Sequence, residues 1–158
     1  MFSVIFPGQG SQSVGMGKDI YAKFKIVKDL FIEADDILDY PISKLVLEGP
    51  KNELDLTENT QASVFLVGYS IFQLAKKEFS IDLNKADFFA GHSLGEYTAL
   101  ACAEALSFSD TLKLLRIRGK AMQEAVPKGV GGMLAILGST TEVIEKIINE
   151  NKNYYECY

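Results

Sequence analysis

Hydrophobic and polar positions divide the chain into short unbroken apolar runs and longer stretches with helical periodicity. Ser3-Val4-Ile5-Phe6 is a run of strand length stopped by Pro7, which predicts a buried strand followed by a loop through Gln12. From Asp19 to Leu38 the residues Ile20, Phe24, Val27, Phe31 and Leu38 fall three, four or seven apart, the spacing of one helical face. Pro41 opens a shorter helix that closes near Gly49-Pro50, and Thr60 to Phe79 is mostly apolar, which predicts a long central helix. Asp87 to Ala90 reads as a second buried strand, and the helix-prone run Tyr97 to Leu106 follows it. Ser107 and Asp110 predict a capping box for a further helix through Ala125.

Beyond Ala125 the character changes. Pro127, Gly129, Gly131 and Gly132 mark a boundary, so residues 1–127 and 128–158 are expected to form separate units. The second unit reads as a strand (Met133 to Leu137), a helix starting at Thr140 or Thr141, and a strand-like run from Tyr154 to Tyr158. Strands separated by helices predict an α/β fold with a parallel sheet. Two strong strands before the boundary are too few for a self-standing doubly wound sheet, so the sheet is expected to be incomplete.

Composition narrows the function. With 47% hydrophobic and 23% charged residues, the 158-residue chain has a globular balance. A net charge of −5 argues against nucleic acid or an anionic membrane as the main partner. Every apolar run falls well short of the roughly 20 residues that span a bilayer. Met1 to Phe6 lacks the basic flank of a signal peptide. The two cysteines, Cys102 and Cys157, have no metal-ligand spacing, so no metal site is expected. Cys102 lies among alanines and reads as a reduced core thiol, which fits a cytoplasmic protein.

The strongest chemical signal is Gly91-His92-Ser93-Leu94-Gly95, entered from an apolar run and left by a helical one. Strand, tight turn and helix is the context in which Gly-x-Ser-x-Gly presents a nucleophilic serine. Such a pentapeptide arises by chance in about 5% of chains of this length and composition, so the context matters more than the match. Gly91 and Gly95 supply the close backbone approach of the turn, and Ser93 sits at a helix N-terminus, where free N–H groups favour an oxyanion. His92 adjoins Ser93, but side chains diverge at a sharp turn, so it is read as packing the elbow and not as a base. Glu96 complements the positive end of the helix that follows.

The helix after Ser107 carries a second signal. Phe108, Leu112, Leu114, Leu115, Ala121, Met122 and Ala125 project onto one apolar arc, opposite Lys113, Arg116, Lys120, Gln123 and Glu124. Arg118 projects into the apolar arc. A buried guanidinium cannot shed its charge, so it requires an anion. That anion is either a protein carboxylate in a buried salt bridge or a ligand carboxylate held by the planar fork.

Phe6-Pro7-Gly8-Gln9-Gly10-Ser11-Gln12, Gly91-His92-Ser93-Leu94-Gly95-Glu96-Tyr97 and Arg118-Gly119-Lys120-Ala121-Met122-Gln123 occur in one order. With these motifs the chain resembles the N-terminal half of the malonyl-CoA:acyl-carrier-protein transacylases. The resemblance implies a large hydrolase-like acyltransferase subdomain, begun in residues 1–127, and the start of a small ferredoxin-like subdomain in 128–158. It implies that Ser93 takes malonyl from coenzyme A as an ester and yields it to the phosphopantetheine thiol of acyl carrier protein. The backbone N–H groups of Gln9 and Leu94 would form the oxyanion hole, Arg118 would bind the malonyl carboxylate, and Gln61 would lie near the pocket. No cofactor beyond these substrates is implied. The family's catalytic histidine falls in the second half, so the chain is expected to be a fragment with little activity alone.

Two other readings compete. A serine esterase or thioesterase also uses Gly-x-Ser-x-Gly, with water as acceptor. A non-catalytic carrier-binding module would dock an acidic carrier protein through Lys113, Arg116 and Lys120, which otherwise form a solvated helix face.

Overall fold

The computed structural model describes residues 1–125 and 136–152, and among them two strands pair in parallel. Strand β1 (Ser3–Phe6) pairs with β2 (Phe88–Gly91) in a register running from Ser3 opposite Phe88 to Phe6 opposite Gly91. The intervening chain is the helical crossover that parallel pairing requires. It comprises α1 (Lys18–Lys23), α2 (Lys25–Leu38), α3 (Ile42–Glu48), α4 (Lys51–Leu54) and α5 (Thr57–Glu78), followed by a 3-10 turn at Leu83–Lys85. After β2 come α6 (Leu94–Cys102) and α7 (Phe108–Ala125). The α/β class expected from the sequence holds. The chain divides into two compact units, Met1–Pro127 and Lys128–Tyr158.

Helix α5 is the spine of the first unit, buried on every side from Asn59 to Val67 and again at Ser70, Phe72 and Leu74. Around it pack Val27, Phe31 and Ala34 of α2, Ile42 and Val46 of α3, Leu94 of α6, and Leu112 and Leu115 of α7. Its apolar character does what the sequence suggested: a helix hydrophobic over much of its circumference belongs in the middle.

Three expectations require correction. The segment Asp19 to Leu38 is not one helix, because Phe24 adopts extended dihedrals (φ −116°, ψ 121°) between α1 and α2. The break lets Tyr21 meet Phe31 with ring centroids 5.2 Å apart. In a straight helix ten residues of rise, about 15 Å, would separate them. Secondly, neither strand is buried on both faces: Phe6 is 6% exposed, whereas Ile5 is 74% and Phe88 63% exposed. Successive strand residues point to opposite faces, and only one face packs on Phe72, Ala99 and Cys102. Thirdly, α7 buries Thr111, Leu112, Leu115 and Gly119, while Leu114 and Met122 of the projected apolar arc are substantially exposed.

Half of the expected capping box forms: Ser107 Oγ accepts from the Asp110 N–H at 3.0 Å, while the Asp110 carboxylate accepts from Ser107 Oγ at 2.7 Å in place of the Ser107 backbone N–H. In the second unit, α8 (Thr141–Asn151) follows Thr140 as expected. Residues 133–135 of the anticipated strand, the run 154–158 and Cys157 lie outside the described residues.

Candidate active site

The turn between β2 and α6 is where local sterics are tightest. Ser93 has φ 55° and ψ −109°, a conformation that L-residues adopt only when their surroundings enforce it. Three glycines make the enforcement possible. A Cβ on Gly91 would lie 1.9 Å from the Gly95 carbonyl carbon, and one on Gly95 would lie 2.5 Å from the Phe6 carbonyl oxygen. A Cβ on Gly8 would lie 2.3 Å from His92 Nδ1. The elbow is thus pressed against the end of β1 and the loop after it. The His92 N–H donates to the Phe6 carbonyl at 3.1 Å and the Gly95 N–H to the His92 carbonyl at 2.9 Å, which closes the turn.

Leu94 is the first residue of α6, where backbone N–H groups have no intrahelical acceptor, and its side chain is fully buried. Gln9 belongs to the loop that Gly8 holds against His92, so the two segments proposed to supply N–H groups are neighbours. That loop is braced from outside. The Gln9 side chain donates to Thr57 Oγ1 at 3.3 Å. Gln12 accepts from the Gly10 N–H at 2.8 Å and donates to the Asp55 carboxylate at 2.9 Å. Hydrogen bonds from Lys51 and Gln12 hold the Asp55 carboxyl below its usual range.

Arg118 reaches this turn from α7. Its Nη2 donates to Ser93 Oγ at 3.0 Å and its Nη1 to Gln61 Oε1 at 2.6 Å. The guanidinium carbon lies 5.7 Å from the Tyr97 ring centroid, within cation–π range. Among the described residues no carboxylate comes within the 4.0 Å of an ion pair with it. The side chain that does form the internal ion pair is Arg116, which the helical projection placed on the solvated face. It sits 3.8 Å from the Glu58 carboxylate, donates to the Glu58 carbonyl at 3.0 Å and to Asn59 Oδ1, and stacks 4.7 Å from the Tyr40 ring centroid. Among the described residues the Glu58 carboxylate pairs with Arg116 and not with Arg118.

Gly119, which carried no separate signal in the sequence, makes both contacts possible. A Cβ there would lie 2.6 Å from Glu58 Cα and 2.8 Å from the Thr57 carbonyl oxygen, so α7 touches the start of α5 backbone to backbone. A glycine inside a helical pattern was the available clue, since it costs about 1 kcal/mol relative to alanine and so points to a packing reason.

His92 lies beside Gly8 and makes no hydrogen bond to Ser93; among the described residues the partner of Ser93 Oγ is Arg118. Glu96 occupies the first turn of α6. An apolar cavity of about 360 Å³ between β1 and α5, lined by Val4, Ile5, Val67, Ile71 and Phe72, contains none of Ser93, Gln61 or Arg118. Among the described residues no three His, Cys, Asp or Glu side chains gather as a metal site, and no helix is long and apolar enough to cross a membrane. The arrangement therefore offers a hydroxyl at a helix N-terminus beside an arginine cation that has no carboxylate partner among the described residues.

Comparison with known proteins places the chain in a family. The chain is 46% identical over 143 residues to a malonyl CoA-acyl carrier protein transacylase of Haemophilus influenzae, covering 90% of this chain and 45% of that protein. It is 44% identical to the transacylase of the same name from Bacillus subtilis, covering 92% of this chain and 45% of the relative. The chain thus spans about half the length of the curated relatives it matches. Among solved structures it resembles the acyl-carrier-protein-S-malonyltransferase of Bartonella henselae, with TM-score 0.88 and 40% identity over 97% of this chain and 49% of that one. It also resembles a malonyl-transacylase solved in complex with a type II polyketide acyl-carrier protein, with TM-score 0.85 and 40% identity over 94% of this chain and 47% of that one. The acyl transferase domain model matches residues 3–158, and the chain belongs to the acyl transferase domain family.

Proposed function

We propose that this chain supplies the nucleophile and acyl-binding half of a malonyl-CoA:acyl-carrier-protein transacylase. Ser93 Oγ attacks the thioester carbonyl of malonyl-CoA, and the carbon–sulfur bond breaks. The serine proton passes through a base to the departing coenzyme A thiolate. The phosphopantetheine thiol of acyl carrier protein then attacks the seryl ester, and its proton returns to Ser93. Backbone N–H groups of Gln9 and Leu94 stabilise the oxyanion of both tetrahedral intermediates, where one lost donor typically costs about 100- to 1000-fold in rate. The chemistry needs no cofactor. In this reading the base is the histidine that the resemblance assigns to the second half of the family's proteins; among the described residues only Arg118 is bonded to Ser93 Oγ. In this reading residues 1–127 belong to the large hydrolase-like subdomain and 128–158 to the small ferredoxin-like one.

The observation that carries the proposal is the Arg118 guanidinium, bonded to Ser93 Oγ and free of any carboxylate among the described residues. A malonyl ester on Ser93 brings its own carboxylate to that cation; an acetyl ester has nothing to offer it. The esterase reading leaves Arg118 without a purpose. The docking-module reading loses Arg116 from its basic patch to Glu58, Asn59 and Tyr40.

The test is transfer of labelled acyl groups from malonyl-CoA and acetyl-CoA to holo-acyl carrier protein, using the protein as its source produces it. Malonyl transfer should dominate, and Arg118→Ala should erase the preference by depressing malonyl transfer about 100-fold or more, the scale of a lost charge-assisted pair. Discrimination against acetyl-CoA that survives Arg118→Ala would refute the carboxylate role.

A further inference from the structure

Gln61 is fully buried in the first turns of α5, a costly position for an amide unless its hydrogen bonds are made. They are made unequally. Oε1 accepts from Arg118 Nη1 at 2.6 Å, while Nε2 finds only the weakly accepting sulfur of Met122 at 3.2 Å. The strong contact is the one to the guanidinium. Tyr97 covers a face of that guanidinium, and its second nitrogen reaches Ser93. Arg118 is thus held at several points by groups that carry no charge.

We propose that Gln61 is the specificity-determining positioning residue of the acyl site, and that its neutrality is what matters. A glutamate would fit the same volume and offer the same acceptor oxygen to Nη1. It would also cancel the arginine's charge from inside the protein, as Glu58 already does for Arg116 on the same pair of helices. The site would then have no net attraction for a carboxylate on the incoming acyl group. The amide instead directs Nη1 and leaves the charge to the ligand. Arg116 and Arg118, two residues apart on α7, are in this way divided between structure and recognition by the residues facing them on α5, Glu58 and Gln61. The inference rests on the reading of Arg118 as the acyl-carboxylate receptor.

The test measures dissociation constants for malonyl-CoA and acetyl-CoA by calorimetry, in the protein as its source produces it and carrying Ser93→Ala so that no acyl transfer occurs. The parent should bind malonyl-CoA more tightly than acetyl-CoA. Adding Gln61→Glu should weaken malonyl-CoA about 100-fold and leave acetyl-CoA within a few-fold, a change in the ratio that general destabilisation would not produce. Gln61→Met is the companion variant, and it decides the matter if Gln61→Glu does not fold. It removes the acceptor and keeps neutrality, so both affinities should fall modestly while the preference for malonyl-CoA persists. A ratio unchanged by Gln61→Glu, or abolished equally by Gln61→Met, would overturn the role of neutrality alone. Equal affinities in the parent would refute the carboxylate reading itself, and this assignment with it.

Discussion

Replacing Gly119 by alanine sets two calculable effects against each other. In a free helix the change is favourable by about 1 kcal/mol, because glycine loses more backbone entropy and alanine is the best helix former. In this protein the new methyl group would sit 2.6 Å from Glu58 Cα and 2.8 Å from the Thr57 carbonyl oxygen, both backbone atoms that no side-chain rotation can clear. Ordinary carbon contacts begin near 3.5 Å, so α7 must retreat from α5 by about 1 Å. Overpacking of this kind typically costs about 1–3 kcal/mol, so the net expectation is a loss of about 1 kcal/mol. The same displacement draws Arg118 away from Gln61 and Ser93, and a 1 Å misplacement at a reacting centre costs about 100-fold in rate. Urea unfolding gives the stability, and the ratio of malonyl to acetyl transfer gives the site geometry. Lys120→Ala, an exposed neighbour on the same helix, is the control and should stay within about 0.5 kcal/mol of the parent. A Gly119→Ala protein as stable as the parent, with its acyl preference intact, would refute the backbone-contact argument.

The remaining predictions concern pH, the base and the elbow. Burial pushes the Cys102 thiol up to about 12, from an ordinary 9.0, so the folded state holds that proton more tightly than the unfolded one. Its contribution to stability is whole below pH 9.0 and is lost as pH rises toward about 12, so the parent should lose stability across that window faster than Cys102→Ala; parallel curves would contradict it. The 158-residue polypeptide by itself should transfer malonyl negligibly, since no base bonds Ser93 among its described residues; a rate near that of ordinary acyltransferases would show that a group within it serves. Gly91→Ala should prevent the elbow from closing, with loss of the folded protein in expression and thermal-melt assays, because its Cβ would overlap the Gly95 backbone at 1.9 Å; a folded, fully active variant would contradict the steric account.

What the sequence made legible was governed by short range. The elbow follows from Gly91, Ser93 and Gly95 within five residues, and the cap at Ser107 and Asp110 follows from a single turn. Helix α5 was visible because its apolar character is continuous. The break at Phe24 was not, because no Pro or Gly marks it and the contact it serves, Tyr21 with Phe31, is tertiary. Exposure of one sheet face was hidden for a similar reason: an apolar run indicates strand, while its neighbours decide whether both faces are covered. Helical projection gives each residue's angle on α7 but not what stands opposite. It therefore singled out Arg118 as buried among apolar groups and left Arg116 to solvent, whereas Glu58, Asn59 and Tyr40 capture Arg116 and leave Arg118 half-buried beside Ser93.

The central claim is that Ser93 carries a malonyl group whose carboxylate is read by Arg118. Brief exposure of the protein, as its source produces it, to malonyl-CoA, followed by acid quench and peptide mass mapping, tests it most directly. The account predicts a malonyl adduct on Ser93, much less adduct from acetyl-CoA under the same conditions, and discharge by holo-acyl carrier protein. An adduct on another residue, or equal labelling by the two thioesters, would contradict it.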